Sequence, residues 1–299
     1  TDAAGFTIGN KGYICGGYNG KTTRLADTWE YDIDNDWWTQ RADMPGTVRN
    51  AATGFPVGNK GYITTGYNPD QKYLADTWEY DPETNTWRQM DDFKGGARYY
   101  ALGFGIDNYG YVGTGYNDNY LKDFYRFDPT AEAGSQWTIV NGFGGQKRQG
   151  ATAFVINGKA YVCGGQNNNS DVSDFWRFDP SAATPWTQLR DIANTSDDDY
   201  DDDYTSIVRS YGVSFVIDGK AYLTLGSTAG GSYYSNYWIY DPETDLWEGD
   251  DLTAFEGSTR IHAVCFSTGT RGIIATGGSG SSSYFDDTWE LKPYEYEEE

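Results

Sequence analysis

Short apolar runs separated by turn-forming residues recur along the whole chain. The clearest copy spans Ala51 to Arg98. It opens with Ala51-Ala52-Thr53-Gly54-Phe55-Pro56-Val57, turns at Gly58-Asn59-Lys60 and resumes as Gly61-Tyr62-Ile63-Thr64-Thr65-Gly66. A polar loop leads to Asp76-Thr77-Trp78-Glu79-Tyr80-Asp81. Pro82-Glu83-Thr84-Asn85 then turns the chain, and Trp87 marks a fourth run. Aromatic and β-branched residues in such runs, with Gly, Pro and Asn between them, predict antiparallel strands, four to a unit.

The unit repeats six times. Strand-ending glycines fall at Gly17, Gly66, Gly115, Gly165, Gly226 and Gly277. Third strands recur at Asp27-Thr28-Trp29, Asp76-Thr77-Trp78, Asp123-Phe124-Tyr125, Asp174-Phe175-Trp176, Asn236-Tyr237-Trp238 and Asp287-Thr288-Trp289. Fourth strands carry Trp38, Trp87, Trp137, Trp186 and Trp247. A period of about 50 indicates radial repetition. These residues resemble the kelch repeat, and the resemblance covers essentially the whole chain. It implies an all-β fold: a six-bladed β-propeller, four antiparallel strands per blade, as one domain over 1–299. The blades are expected near 1–49, 50–98, 99–148, 149–209, 210–260 and 261–299. The tryptophans are expected between blades, because one blade cannot bury both its faces alone. The sixth unit departs from the pattern: Pro293 aligns with Pro82, but Glu298 falls where Trp87 stands. Its outer strand is expected from residues upstream of Thr1, ending in an Arg, with Tyr294–Glu297 as the alternative.

Composition narrows the partners. A net charge of −22 leaves no basic surplus for phosphates and argues against a nucleic-acid partner, so none is expected. No 18-residue apolar run is present, so no membrane-spanning helix is expected. Of three cysteines, Cys15 and Cys163 occupy equivalent positions three blades apart, too far to bond. A chain that begins at Thr1 reads as trimmed. With the likeness to bacterial kelch proteins, this leads to an expected secreted, periplasmic or cell-surface location.

Candidate chemistry gathers on one face. The fourth-to-first loops end in Arg49, Arg98, Arg148, Arg209 and Arg260, and five guanidiniums around the channel mouth would focus an anion. The second-to-third loops begin Tyr18-Asn19, Tyr67-Asn68, Tyr116-Asn117 and Gln166-Asn167, and become Ser227-Thr228 and Gly278-Ser279 in blades five and six. Aromatic faces beside amides suit a sugar ring, and turn-forming Asn is the plainer reading. Two residues beyond each Arg comes a third set: Asp2, Ala51, Tyr100, Gly150, Tyr211 and His262. Ring closure would set His262, the only histidine, beside Asp2. An acidic insertion in blade four, with Asp199, Asp201 and Asp203, offers oxygen ligands that could hold Ca²⁺; a solvated flap is its other reading. No other cofactor is expected.

The resemblance extends to galactose-oxidase-type domains, bacterial sialic acid mutarotases and peptide-binding kelch domains. One histidine cannot supply the two imidazoles of the galactose-oxidase copper site. The first reading is therefore a non-catalytic propeller that binds a carbohydrate, an acidic small molecule or an acidic peptide at the mouth. The second is a sialic-acid-type mutarotase, with Glu256, Arg260 and His262 (or Asp251) as its acid–base and anion-clamp residues. The third is a protein-binding scaffold.

Overall fold

The computed structural model describes residues 1–249, 253–280 and 282–293. The repeat resolves into six antiparallel sheets arranged as blades. Blade one comprises Ala4–Ile8, Lys11–Tyr18, Arg24–Asp32 and Trp37–Arg41. Blade two comprises Thr53–Val57, Lys60–Thr64, Thr77–Asp81 and Thr86–Met90. Blades three, four and five repeat the order from Leu102–Ile106, Thr152–Ile156 and Val213–Ile217. Among the described residues blade six has three strands, Val264–Ser267, Gly272–Ala275 and Thr288–Leu291. The alternative outer strand at Tyr294–Glu297, Glu298 and also Asp251 lie outside the described residues. A short 3₁₀ turn at Asp199–Asp201 is the one helical element described.

Each first strand touches the next, and the first strand of blade six touches that of blade one, so the ring is closed. The six first strands line a central cavity of about 200 Å³ walled mainly by Ala, Gly, Ser and Thr.

Blades pack by inserting an aromatic ring into a gap beside a small residue. A Cβ on Gly61 would stand 2.0 Å from the ring of Phe6 in blade one, and a Cβ on Gly12 would stand 2.3 Å from Phe266 in blade six. Ala160 and Ala221 hold the corresponding second-strand positions of blades four and five. The fourth-strand tryptophans bridge blades, as expected. Trp87 Nε1 donates to Ala42 O (2.8 Å), Trp137 Nε1 to Asp91 O (3.1 Å) and Trp38 Nε1 to Thr288 Oγ1 (3.1 Å). Cys15 and Cys163 are buried free thiols, pushed up to about 12 by burial, and stay protonated.

Candidate functional site at the channel mouth

The residue after each loop arginine pairs with the residue that opens the second-to-third loop. Asn50 and Tyr67 exchange two backbone hydrogen bonds, as do Tyr99 with Tyr116, Gln149 with Gln166, and Ser210 with Ser227. Both loop sets therefore converge on one face. The second-to-third loops stand up there as small hairpins, such as Tyr67–Asn68 with Lys72–Tyr73.

One residue further on, the chain closes on itself. Ala51 N donates to Asp2 O, Tyr100 N to Ala51 O, Gly150 N to Tyr100 O, Tyr211 N to Gly150 O, His262 N to Tyr211 O and Asp2 N to His262 O, at 2.8–3.3 Å. One residue per blade thus forms a ring of six main-chain bonds around the axis. All six residues are left-handed, with φ between 51° and 64°. Side chains other than glycine carry a cost of about 1 kcal/mol or more there. A buried backbone bond is worth about as much, so the ring roughly offsets its own strain.

The expected arginine ring at the mouth is corrected. All five guanidiniums are buried, at 0–1% exposure, and serve their own blades. Arg49 donates to Thr47 O (2.9 Å), to Thr65 O (3.0 Å) and to both oxygens of Asp76 (2.7 and 2.6 Å). Arg98 repeats this with Thr114 O and Asp123, Arg148 with Gly164 O and Asp174, and Arg260 with Thr276 O and Asp287. Arg209 reaches Leu225 O and, lacking an acid, the amide oxygen of Asn236 at 3.1 Å. The acceptor carbonyls belong to residues at φ 58–65°. The arginine's own carbonyl accepts from the preceding blade, as in Gly17 N to Arg49 O at 2.8 Å. Each arginine therefore pins two blades and steadies a strained turn. Burial without an acid partner pulls the Arg209 guanidinium down to about 10.

Two amides are also structural. Asn19 Oδ1 accepts from Lys21 N and Thr23 N. Asn68 is buried, accepts from Asp70 N and donates to Val48 O. Both shape turns. Asn117 and Asn167 remain half-buried on the mouth face.

What the mouth presents is tyrosine. Tyr99 is the hub, with Tyr67, Tyr73, Tyr100 and Tyr116 at ring-centroid distances of 5.7, 5.6, 4.8 and 5.7 Å. Tyr120 extends this beyond Tyr116, and Tyr211 beyond Tyr100. Tyr18 stands under Arg24, whose guanidinium lies 4.5 Å from its ring and 5.7 Å from that of Tyr67, with Nε held by Asn50 Oδ1 at 2.9 Å. These rings are half-buried. The sequence reading missed Arg24, Tyr73, Tyr99 and Tyr120. The position directly after each arginine, where Tyr99 stands, was the available signal.

At the centre Asp2 Oδ1 takes Tyr100 OH (2.8 Å) and His262 Nδ1 (2.9 Å). His262 lies 5.1 Å from Tyr100 and 4.3 Å from Tyr211, centroid to centroid. Burial pushes the Asp2 carboxyl up, but His262 and the two hydrogen bonds outweigh it and hold it below the ordinary range. An Asp-bound Nδ1–H leaves Nε2 as the proton acceptor. Tyr211 OH meets the amide nitrogens of Gln149 and Gln166, both at 2.7 Å. His262 and Asp2 thus come together, whereas no hydrogen bond or ion pair joins Glu256, which is exposed, to Arg260 or His262.

In the blade-four insertion Asp201 turns inward and caps Thr195 N and Ser196 N at 2.9 and 3.0 Å, while Asp199 and Asp203 stay exposed. Among the described residues no three acids, histidines or cysteines converge as a metal site.

Residues 2–144 match the family model of the KLHDC2/KLHL20/DRC7 kelch-repeats domain, and residues 147–189 match the kelch motif. N-acetylneuraminate epimerases of Yersinia pestis (strain Pestoides F) and Yersinia pseudotuberculosis serotype O:1b (strain IP 31758) are each 29% identical over 164 residues. The match spans 45% of this chain and 41% of those relatives' length. The solved structure of YjhT superposes with a TM-score of 0.76 over 96% of this chain and 93% of that one, at 15% identity, a likeness of fold.

Proposed function

Because this chain belongs to the kelch-repeat β-propellers, we propose that it recognises a carbohydrate at the tyrosine-lined mouth formed by blades one to five. The observation that carries this reading is the continuous half-buried surface of Tyr67, Tyr73, Tyr99, Tyr100, Tyr116 and Tyr211. Such rings cover the apolar face of a sugar, while the glutamines, Asp2 and His262 beside them match hydroxyls. Arg24, backed by two tyrosines, gives the rim one cation for an acidic sugar. The names of the N-acetylneuraminate epimerases support an acidic sugar as the first ligand to test. A bacterial envelope or extracellular location belongs to the same proposal.

A second reading, anomer interconversion, is favoured by His262. With Nδ1 bound to Asp2, its Nε2 is suited to take the anomeric hydroxyl proton as the ring C–O bond breaks. Water returns a proton to the ring oxygen, and reclosure on the other face reverses both transfers.

Saturation-transfer NMR with N-acetylneuraminate, glucuronate and neutral sugars tests binding, and exchange spectra on the same samples test turnover. Binding that weakens about tenfold or more in Tyr99→Ala supports recognition. Accelerated exchange that is lost in His262→Gln, with binding retained, supports the mutarotase reading. No signal from any sugar refutes both and turns attention to acidic peptides or protein partners on this face.

A further inference from the structure

Blades one and two carry a charged cluster and an inter-blade latch that blade three lacks. In blade two Glu79 accepts from Tyr62 OH (2.7 Å), Lys60 (3.1 Å) and Arg88 (2.8 Å). Blade one repeats this with Glu30, Tyr13, Lys11 and Arg41. The glutamate faces the next blade from the third strand. In blade three its position is Arg126, and the residue opposite, Arg88 in blade two, becomes Thr138.

The latch is lost at the same place. Ala42 N donates to Asn85 Oδ1 while Ala42 O takes Trp87 Nε1. Asp91 makes the equivalent pair with Gln136 and Trp137. At the third junction the equivalents are Asn141, Pro185 and Trp186. Proline offers no side-chain acceptor, and the buried Trp186 Nε1 has no hydrogen-bond partner.

The two blades part there around a cleft of about 730 Å³, walled by Tyr111, Ile139, Phe178, Pro185 and Trp186. Ligand sites typically occupy roughly 300–1,000 Å³. Arg126 lines the cleft with its guanidinium 4.4 Å from the Tyr109 ring centroid, and it makes no hydrogen bond or ion pair among the described residues. In an acidic chain that pairs most of its internal arginines, this one is left over beside an apolar cavity.

We propose that the cleft between blades three and four binds a small organic carboxylate with an apolar body, its carboxylate on Arg126. A guanidinium is always charged and offers a planar fork that fits a carboxylate with two bonds. The aromatic and proline walls cover the remainder of the ligand. The overall negative charge opposes approach only weakly, because at physiological salt it is screened beyond about 8 Å. The cleft shares no residue with the tyrosine-lined mouth, so this site stands or falls separately.

The test titrates the full chain with 3-phenylpropionate and, separately, with its primary amide, following amide chemical shifts. The expected result is millimolar binding of the carboxylate, shifts confined to blades three and four, and about tenfold or more weaker binding of the amide. Arg126→Gln should erase the preference. Thr138→Glu sets a carboxylate opposite Arg126 and should also erase it, with thermal stability at or above that of the parent. Equal affinity for acid and amide overturns the proposal. So does a preference that survives in either variant, or the absence of shifts in the cleft at tens of millimolar.

Discussion

Arg209 is the one junction arginine of the five without an acid partner, which makes Asn236→Asp an informative perturbation. Arg49 holds Asp76 through two charged bonds at 2.7 and 2.6 Å, whereas Arg209 holds Asn236 Oδ1 through one at 3.1 Å. The guanidinium already makes the bond to Asn236 a charge-assisted one, so the gain comes mainly from a second charge-assisted bond, worth about 1.5–3 kcal/mol. Burying a carboxylate returns part of this, although position 236 is only half-buried. The hydrogen bond that Asn236 Nδ2 donates to Ser206 Oγ at 2.7 Å is lost, but the serine hydroxyl can turn and donate to the new carboxylate. The net expectation is about 1–2 kcal/mol of added stability, or a Tm raised by roughly 2–4 °C. The matching carboxylates Asp76 and Asp287 have pKa values held below the ordinary range. Burial pushes Asp76 up but Arg49 outweighs it, and at Asp287 the bond from Arg260 is the largest cause. A carboxylate depressed on folding stabilises above its unfolded pKa, about 3.9, and loses that contribution as pH falls through its folded value. The advantage over the parent should therefore be full at pH 7 and shrink below about pH 4. Differential scanning calorimetry at several pH values measures it. An unchanged or lower Tm at pH 7, with native far-UV circular dichroism, would refute the reasoning and assign the pin's strength to its carbonyl contacts alone.

Arg98→Met should leave Asp123 partly buried and unpaired, at a cost of about 3–5 kcal/mol in urea unfolding; a loss under 1 kcal/mol would contradict the pin. Gly61→Val drives a branched side chain into Phe6, for which overpacking predicts about 1–3 kcal/mol or more, read as a lower urea midpoint. Asp2→Asn should cost about 1–3 kcal/mol at neutral pH. Because the Asp2 carboxyl is depressed on folding, the gap between parent and variant should close as pH falls below about 4; a gap that persists or widens in acid would contradict that.

The blades were legible because each strand writes its own burial alternation and each turn its own Gly, Pro or Asn. The nearness of His262 to Asp2 followed from counting two residues past each arginine. The arginines were misjudged because charge suggests solvent, yet each has its acid or amide 25–27 residues later. A pair repeated in five blades serves what the blades have in common. The mouth is the reverse. Arg24, Tyr73 and Tyr120 share one repeat position, each just before the leucine that pairs with a loop arginine, and Tyr99 stands where Asn50, Gln149 and Ser210 stand. The residue type at these positions changes from blade to blade, so no repeated motif marks them, and their convergence depends on hairpins folding over neighbouring blades. The cleft was hidden for a related reason: Arg126 reads as a surface arginine until its position is compared with Glu79.

The ring of six bonds at the mouth uses only backbone atoms, and this frees the side chains there. Asp2, Ala51, Tyr100, Gly150, Tyr211 and His262 share one conformation and no common chemistry. Proline is excluded outright, since each position needs its N–H and a positive φ; glycine takes the conformation freely, other residues carry the strain, and at Gly150 a Cβ would also meet the Tyr211 ring at 2.4 Å. The seam that closes the propeller therefore exerts almost no selection on which functional group each blade presents. A binding surface can be rewritten there one blade at a time, while the bonds that hold the circle together stay the same.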